Sequence, residues 1–89
     1  MKYEYDAAKD AINRAKHGLS LSEAECLDWD TLKASEDHRY DYGEQRMVGF
    51  ASRGKRLYCV VYTDRGEKRR IISLRKANKR EVRIYANQD

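Results

Sequence analysis

Cationic, histidine and tyrosine side chains are the residues of this sequence that could do chemistry, and the cations are concentrated in its C-terminal half. Residues 53–84 carry 12 Lys and Arg against three Asp and Glu, whereas residues 1–52 carry seven against 11. Such a concentration suits a polyanion, either nucleic acid or an acidic protein partner. The alternative is that these cations only solvate the exposed faces of strands and helices.

A metal-free cationic surface of this kind could cut RNA by using the RNA's own 2′-hydroxyl as the nucleophile. The reaction needs a group that takes the hydroxyl proton, cations that stabilise the pentavalent phosphate, and an acid for the leaving 5′-oxygen. Arg and Lys near the C-terminus supply the cations, and His17, Tyr85 or a lysine could move protons. The same cations would also serve RNA or DNA binding without chemistry, so charge alone leaves both hypotheses open.

His17 and Tyr85 each have a structural alternative. The sequence Lys16-His17-Gly18 is typical of a helix end, because glycine adopts the left-handed conformation there and cations interact favourably with the helix dipole. Tyr85 falls on the apolar side of a C-terminal helix, together with Val82 and Ala86, and could be a core residue. Both alternatives stay open at this point.

Other kinds of site have no support in the sequence. It has no glycine-rich phosphate loop, no Cys/His metal-binding spacing and no nucleophile triad, so we expect no metal and no cofactor. Cys26 and Cys59 are predicted to be buried, reduced thiols. No apolar run approaches the ~20 residues of a membrane span, and the N-terminus lacks a hydrophobic signal region. We therefore expect a cytoplasmic protein without membrane contact.

The elements that must position these side chains predict an α+β fold in a single domain, residues 1–89. Asp6 caps a first helix (7–16), Ser20 caps a short second one ending near Asp28, and Asn78 with Glu81 forms a capping box for the last. Between them, hairpin patterns predict a twisted, antiparallel four-stranded sheet of strands 31–36, 44–52, 57–63 and 67–75. Residues 2–5 could add a short strand at the start.

Two other features allow more than one interpretation. Trp29 is predicted to pack in the core, although a tryptophan can also stack on RNA bases. Residues 37–43 form a polar loop, on which His38, Arg39, Tyr40 and Tyr42 lie. Loops on a rigid scaffold often carry function, but this composition is also ordinary for a loop.

The order of motifs resembles the BrnT toxins of bacterial and archaeal toxin–antitoxin pairs, over most of the chain from about Tyr5 to Tyr85. The resemblance rests on Lys16-His17-Gly18, Gly43-Glu44-x-Arg46, Val61-Tyr62-Thr63 and Arg70-Ile71-Ile72-Ser73-x-Arg75-Lys76-Ala77, taken in that order and spacing. One departure is Ala7, where relatives often have proline; it concerns the start of the first helix.

The resemblance implies a RelE-like fold and a ribonuclease toxin that blocks translation. It also implies a cognate antitoxin that masks the toxin and binds operator DNA, with two toxin chains bridged by two antitoxin chains.

The resemblance also implies a site built from basic residues and a tyrosine near the C-terminus. Arg75 and Arg80 are expected to stabilise phosphate charge, Tyr85 or His17 to move protons, and Lys16 to lie close by if the first helix packs over the sheet. The remaining cations predicted to bind RNA are Arg46, Arg70, Lys76, Lys79 and Arg83. We expect the cations of the final hairpin and helix to converge in one pocket shaped for a phosphodiester.

Overall fold

The computed structural model describes residues 1–39, 41 and 43–88; Tyr40 and Tyr42 of the predicted loop, and Asp89, lie outside the described residues. Its centre is a five-stranded sheet in the order β1-β5-β4-β3-β2. The strands are β1 (Lys2–Glu4), β2 (Asp28–Glu36), β3 (Met47–Arg53), β4 (Arg56–Arg65) and β5 (Lys68–Lys76). The pair β1–β5 is parallel, and the other three pairs are antiparallel.

The α+β class is confirmed, but the predicted four-stranded antiparallel sheet is wrong by one strand. Lys2–Glu4 pairs in parallel with Lys68–Arg70, far away in sequence. A hairpin can be predicted from its turn residues. The parallel pairing of β1 and β5 joins distant segments of the chain and leaves no turn signal between them.

The prediction of two N-terminal α-helices is also wrong. The first, α1 (Ala7–His17), is an α-helix between the Asp6 cap and left-handed Gly18, as predicted. The second is a single 3-10 helix (Leu21–Cys26), although its Ser20–Glu23 capping box is confirmed. Leu21 and Ala24 are its buried residues, and a spacing of three places both on one side of a 3-10 helix.

The core lies on one face of the sheet, and a bulge in β5 shapes it. Ile71 and Leu74 are both 1% exposed, although residues three apart would point to opposite faces of a regular strand. The β4–β5 register shifts between Val61 and Tyr62, so that Val61 pairs with Ser73 and Tyr62 with Ile71. The extra residue of the bulge turns both apolar side chains towards the core.

Asn13 attaches α1 to β5 through the backbone of Leu74. Its carboxamide donates to the Leu74 carbonyl over 2.8 Å and accepts from the Leu74 N–H over 3.1 Å. A third bond, of 2.9 Å, runs to the carbonyl of Leu19. The side chain is buried and satisfies the backbone N–H and carbonyl of Leu74, as a neighbouring strand would. It therefore fixes the position of α1 relative to the sheet.

Helix α2 (Lys79–Ala86) has the predicted Asn78–Glu81 capping box but lies on the surface, since none of its residues is buried. The prediction of an apolar side facing the core is wrong for Val82, which is 44% exposed, and for Ala86, which is also exposed. Lys76 belongs to β5 and not to α2, so it does not lie in one row with the cations of the helix.

Trp29 packs as predicted, at the edge of the core. Its ring stacks on Tyr3 with centroids 5.7 Å apart and meets Tyr62 edge-on at 5.6 Å, and its Nε1 donates to the carbonyl of Ala24. Of the two cysteines, Cys59 is buried and Cys26 is exposed, so the prediction for Cys26 is wrong. Within the described residues, no helix is long and apolar enough to cross a membrane.

Candidate active site

A cleft of about 860 Å³ opens on the face of the sheet opposite to the core. Val48, Val61 and Ser73 form a row of paired residues across β3, β4 and β5, and Cys59 pairs with Arg75 beside it. These residues alternate along the strands with the core residues Val60, Tyr62 and Leu74, so they must point to the other face. The floor of the cleft is therefore the central part of the sheet.

The walls of the cleft come from two segments outside the sheet. Lys16 and His17 enter from the C-terminal end of α1, and the chain from Glu36 to Arg39 enters from the end of β2. The Asn13 bonds fix α1 on β5, and the N–H of Asp37 donates to the carbonyl of Arg46 over 2.7 Å, at the start of β3. Both walls are thus attached to the sheet through buried or backbone bonds.

His38 is oriented by a carboxylate. Its Nδ1 lies 3.2 Å from Oε2 of Glu36, whose Oε1 accepts a 2.6 Å hydrogen bond from the amide of Gln45. This contact favours the tautomer with hydrogen on Nδ1, which leaves Nε2 free to accept a proton. The imidazole is 78% exposed, so a substrate in the cleft can reach it.

Arg39 is held in the same wall by Asp37. The guanidinium donates to both carboxylate oxygens, with Nε 3.0 Å from Oδ1 and a terminal nitrogen 2.9 Å from Oδ2. The Asp37 side chain is 3% exposed, whereas that of Arg39 is 73% exposed. A buried carboxylate therefore orients the guanidinium of a largely exposed side chain, and an oriented guanidinium suits the binding of a phosphate.

Arg75 forms the strongest ion pair of the cleft, with Glu81 of α2. Two hydrogen bonds of 2.8 Å join the guanidinium to the carboxylate, which also accepts from the N–H of Asn78. The hydrogen bonds from Arg75 lower the pKa of Glu81 to about 2, and the bond to Glu81 raises the pKa of Arg75. Burial raises the pKa of the neighbouring Cys59 thiol, so this cysteine is an inert part of the floor.

Of the ten residues predicted from the sequence for the site, the structure brings three to the cleft: Lys16, His17 and Arg75. The expected convergence of all the cations in one pocket is wrong. Lys79 and Arg83 line a separate groove next to α2, Arg80 is exposed on α2 and lines neither, and Lys76 is exposed at the end of β5. These cations lie on different surfaces because side chains alternate between the two faces of a strand, and because Lys76 belongs to β5 whereas α2 starts at Lys79.

Arg46 and Arg70 belong to a group of charges outside the cleft. Arg70 lies 3.6 Å from the carboxylate of Glu4 on β1. The pKa of Glu44 is lowered chiefly by its hydrogen bonds from Arg65, and Arg46 and Arg70 lower it further. This arrangement is that of a surface ion-pair network.

Tyr85 attaches α2 to β2. Its hydroxyl donates to the carbonyl of Thr31, and Nζ of Lys33 lies 4.4 Å from the ring centroid. The same Nζ donates to the carbonyl of Tyr85 over 3.1 Å. The hydroxyl does not line the cleft, and its environment favours the structural interpretation of Tyr85 over a role in proton transfer.

His38 and Arg39 are the cleft residues that the sequence did not single out. A signal was present, because the chain has only two histidines and His38 is one of them. Because His38 lies on a polar loop, the sequence did not show that it follows the end of β2 and lines the same cleft as the end of α1. Within the described residues, no group of three or more His, Cys, Asp or Glu side chains could hold a metal ion.

Comparison with known families adds an independent finding. A family model described as "Ribonuclease toxin, BrnT, of type II toxin-antitoxin system" matches residues 5–81. The match includes α1, the segment after β2 and strands β3, β4 and β5, which together form the walls and floor of the cleft. No individual curated protein matches the chain.

Proposed function

Because the chain belongs to the BrnT family of ribonuclease toxins of type II toxin–antitoxin systems, we propose that it is a metal-independent endoribonuclease whose active site is the cleft. One observation carries the assignment. Both histidines of the chain line this cleft, together with Lys16, Arg39 and Arg75. Two imidazoles can share the roles of base and acid, and three cations can surround one phosphate.

In the proposed reaction, the RNA supplies its own nucleophile. Nε2 of His38 takes the proton of a 2′-hydroxyl, and the 2′-oxygen attacks the adjacent phosphorus. The bond from phosphorus to the 5′-oxygen breaks, and His17 donates a proton to that oxygen. The products are a 2′,3′-cyclic phosphate on one fragment and a 5′-hydroxyl on the other.

The surroundings of the two histidines support this division of roles. Glu36 contacts Nδ1 of His38, and a carboxylate in that position stabilises the imidazolium that forms when Nε2 takes a proton. His17 lies in the last turn of α1, where the partial negative charge of the helix end interacts favourably with a cationic proton donor.

The cations of the cleft bind the phosphate and stabilise the charge that develops on it. Arg39 and Arg75 each have one edge occupied by a carboxylate, Asp37 and Glu81 respectively. Because these contacts already orient the guanidinium groups, less side-chain entropy is lost when a phosphate binds. Lys16 adds a third positive charge beside His17.

The toxin's biological effect follows from this activity and from the pairing of the family with an antitoxin. We propose that cutting RNA inhibits translation and that the cognate antitoxin neutralises the toxin. Binding of operator DNA through the antitoxin and a heterotetramer of two toxins and two antitoxins remain predictions that rest on the resemblance.

The test is cleavage of a single-stranded RNA by the purified chain in excess EDTA. We expect cleavage to persist, and His17→Ala and His38→Ala each to lower the rate by about 10²–10⁴-fold. Lys68→Ala, an exposed cation at the far end of β5, is the control and should cut at the wild-type rate. Wild-type rates in both histidine variants would contradict the site.

A non-catalytic nucleic-acid-binding protein is the alternative function that the basic surface would equally support. RNA that stays intact in the same assay, with and without added Mg²⁺, while it binds in a salt-sensitive manner would favour that alternative. Restoration of cleavage only by Mg²⁺ would instead contradict the metal independence alone.

A further inference from the structure

A second cavity lies next to α2 and is separate from the catalytic cleft. This basic groove has a volume of about 470 Å³. Its rim carries Lys55 from the turn between β3 and β4, Arg56 from the start of β4, and Lys79 and Arg83 from α2. Leu57 and Val82 contribute apolar surface to its floor. The groove shares no lining residue with the cleft.

The four rim cations have no carboxylate partner among the residues that the structure describes. Each is exposed, and none forms an ion pair or a side-chain hydrogen bond with the described residues. The contrast is with Arg39, Arg65, Arg69 and Arg75, which all bind carboxylates. Four uncompensated positive charges around one concavity create a local field that attracts acidic groups.

The floor of the groove distinguishes a peptide from RNA as its occupant. Leu57 and Val82 are aliphatic, and among the described residues no aromatic side chain lines the groove. The described lining therefore offers no surface on which bases could stack. Val82 is 44% exposed on a helix with no buried residue. An exposed apolar side chain ringed by cations fits a segment that alternates apolar and acidic residues.

We propose that the basic groove is a docking site for an acidic, amphipathic segment of the cognate antitoxin. The proposal rests on the antitoxin pairing of the family and does not depend on the catalytic assignment of the cleft. Binding there would cover the side of α2 that carries Lys79, Val82 and Arg83. Glu81 of the same helix binds Arg75 of the cleft. Antitoxin and RNA would then contact adjacent but different surfaces.

The experiment measures the affinity of the full-length toxin for its purified cognate antitoxin by titration calorimetry at two salt concentrations. Lys55→Glu/Arg56→Glu reverses half of the rim and should weaken binding by at least about tenfold, with a smaller dependence on salt. Val82→Asp should weaken binding as well, because it places a carboxylate where an apolar side chain is expected. Lys9→Glu/Lys68→Glu changes the net charge equally at exposed sites outside the groove and is the matched control.

RNA cleavage by the same variants separates this proposal from the catalytic one. Neither Lys55 nor Arg56 lines the cleft, so the double variant should cut RNA at the wild-type rate. Antitoxin affinity equal to that of the control would overturn the docking proposal. If the double variant loses affinity for RNA but keeps its affinity for the antitoxin, the groove is assigned to RNA. If the double variant abolishes a toxin dimer, the groove is assigned to a second copy of the chain. Both results also overturn the proposal.

Discussion

At the scale of single residues, the ion pair between Arg75 and Glu81 joins the cleft to the C-terminal helix. Glu81 both caps α2 through the N–H of Asn78 and holds the guanidinium of Arg75. One carboxylate thus fixes the start of a helix and one cation of the proposed active site. No residue of α2 lines the cleft itself, so Glu81 contacts it only through Arg75.

The pKa of Glu81 gives this link a defined pH dependence. Its pKa is about 2 in the folded chain and 4.5 as an unperturbed group. The stabilisation of α2 is therefore complete above about pH 4.5 and is lost as the pH falls through about 2. In wild type, the protection factors of the α2 amides, which are corrected for the intrinsic pH dependence of exchange, should fall over that window.

Glu81→Gln should remove that dependence. The amide keeps much of the shape of the carboxylate but not its charge, so the α2 amides should have lower protection factors at neutral pH, with little further change down to pH 2. Glu67→Gln, in the exposed turn between β4 and β5, is the control and should behave as wild type. Unchanged exchange in Glu81→Gln would show that the ion pair does not hold the helix.

Arg75 and Arg80 are predicted to differ in their contribution to catalysis. Arg75→Ala removes a cation from the cleft and should lower kcat/KM by about 10²-fold, as expected for a donor that stabilises developing charge. Arg80→Ala should change kcat/KM by less than about threefold, because Arg80 is exposed and does not line the cleft. Equal losses would favour the sequence-based site, in which both arginines act. Single-turnover cleavage of one RNA by both variants makes the comparison.

At the scale of elements, α1 is positioned by one buried side chain. Asn13→Ala leaves the N–H and the carbonyl of Leu74 and the carbonyl of Leu19 without these partners, and should lower the free energy of unfolding by about 2–4 kcal/mol. Its neighbour Ile12 is 61% exposed, so Ile12→Ala should cost less than about 1 kcal/mol. Urea unfolding of both variants tests the pair. Equal losses would contradict the role of Asn13.

The elements also show which parts of the fold local sequence can specify. Helix caps depend on neighbouring residues, so α1 with left-handed Gly18 and the Ser20–Glu23 and Asn78–Glu81 boxes were predictable. Strand β1 depends on a partner at the other end of the chain, and the β5 bulge depends on the core that Ile71 and Leu74 share. Such non-local contacts leave no local signature.

At the scale of the whole molecule, the positive charge is distributed over surfaces with different chemistry. The cleft combines three cations with both histidines. The basic groove combines four cations with aliphatic side chains, and Arg46 and Arg70 lie near the carboxylates of Glu44 and Glu4. A count of charge along the sequence predicted a polyanion partner but could not separate these surfaces, because residues close in sequence, such as Arg75 of the cleft and Lys79 of the groove, belong to different surfaces.

The candidate site shows the same limit. Lys16, His17 and Arg75 could be named from motif and charge, and the structure brings them together. His38 and Arg39 needed the path of the chain after β2, where Glu36 and Asp37 orient them. Tyr85 was a candidate for proton transfer with a structural alternative, and its hydroxyl donates to the carbonyl of Thr31. Hydrogen-bond partners, which a sequence does not specify, separate these cases.

The chemistry of the RNA ends tests the central claim most directly. After cleavage of a defined RNA in EDTA, mass spectrometry should find a 2′,3′-cyclic phosphate (or the 2′- or 3′-phosphate from its hydrolysis) and a 5′-hydroxyl. His38→Ala should yield neither product at a comparable rate. Fragments that carry a 3′-hydroxyl and a 5′-phosphate would mean that water, and not the 2′-hydroxyl, attacks phosphorus. That result would contradict the proposed roles of His17 and His38.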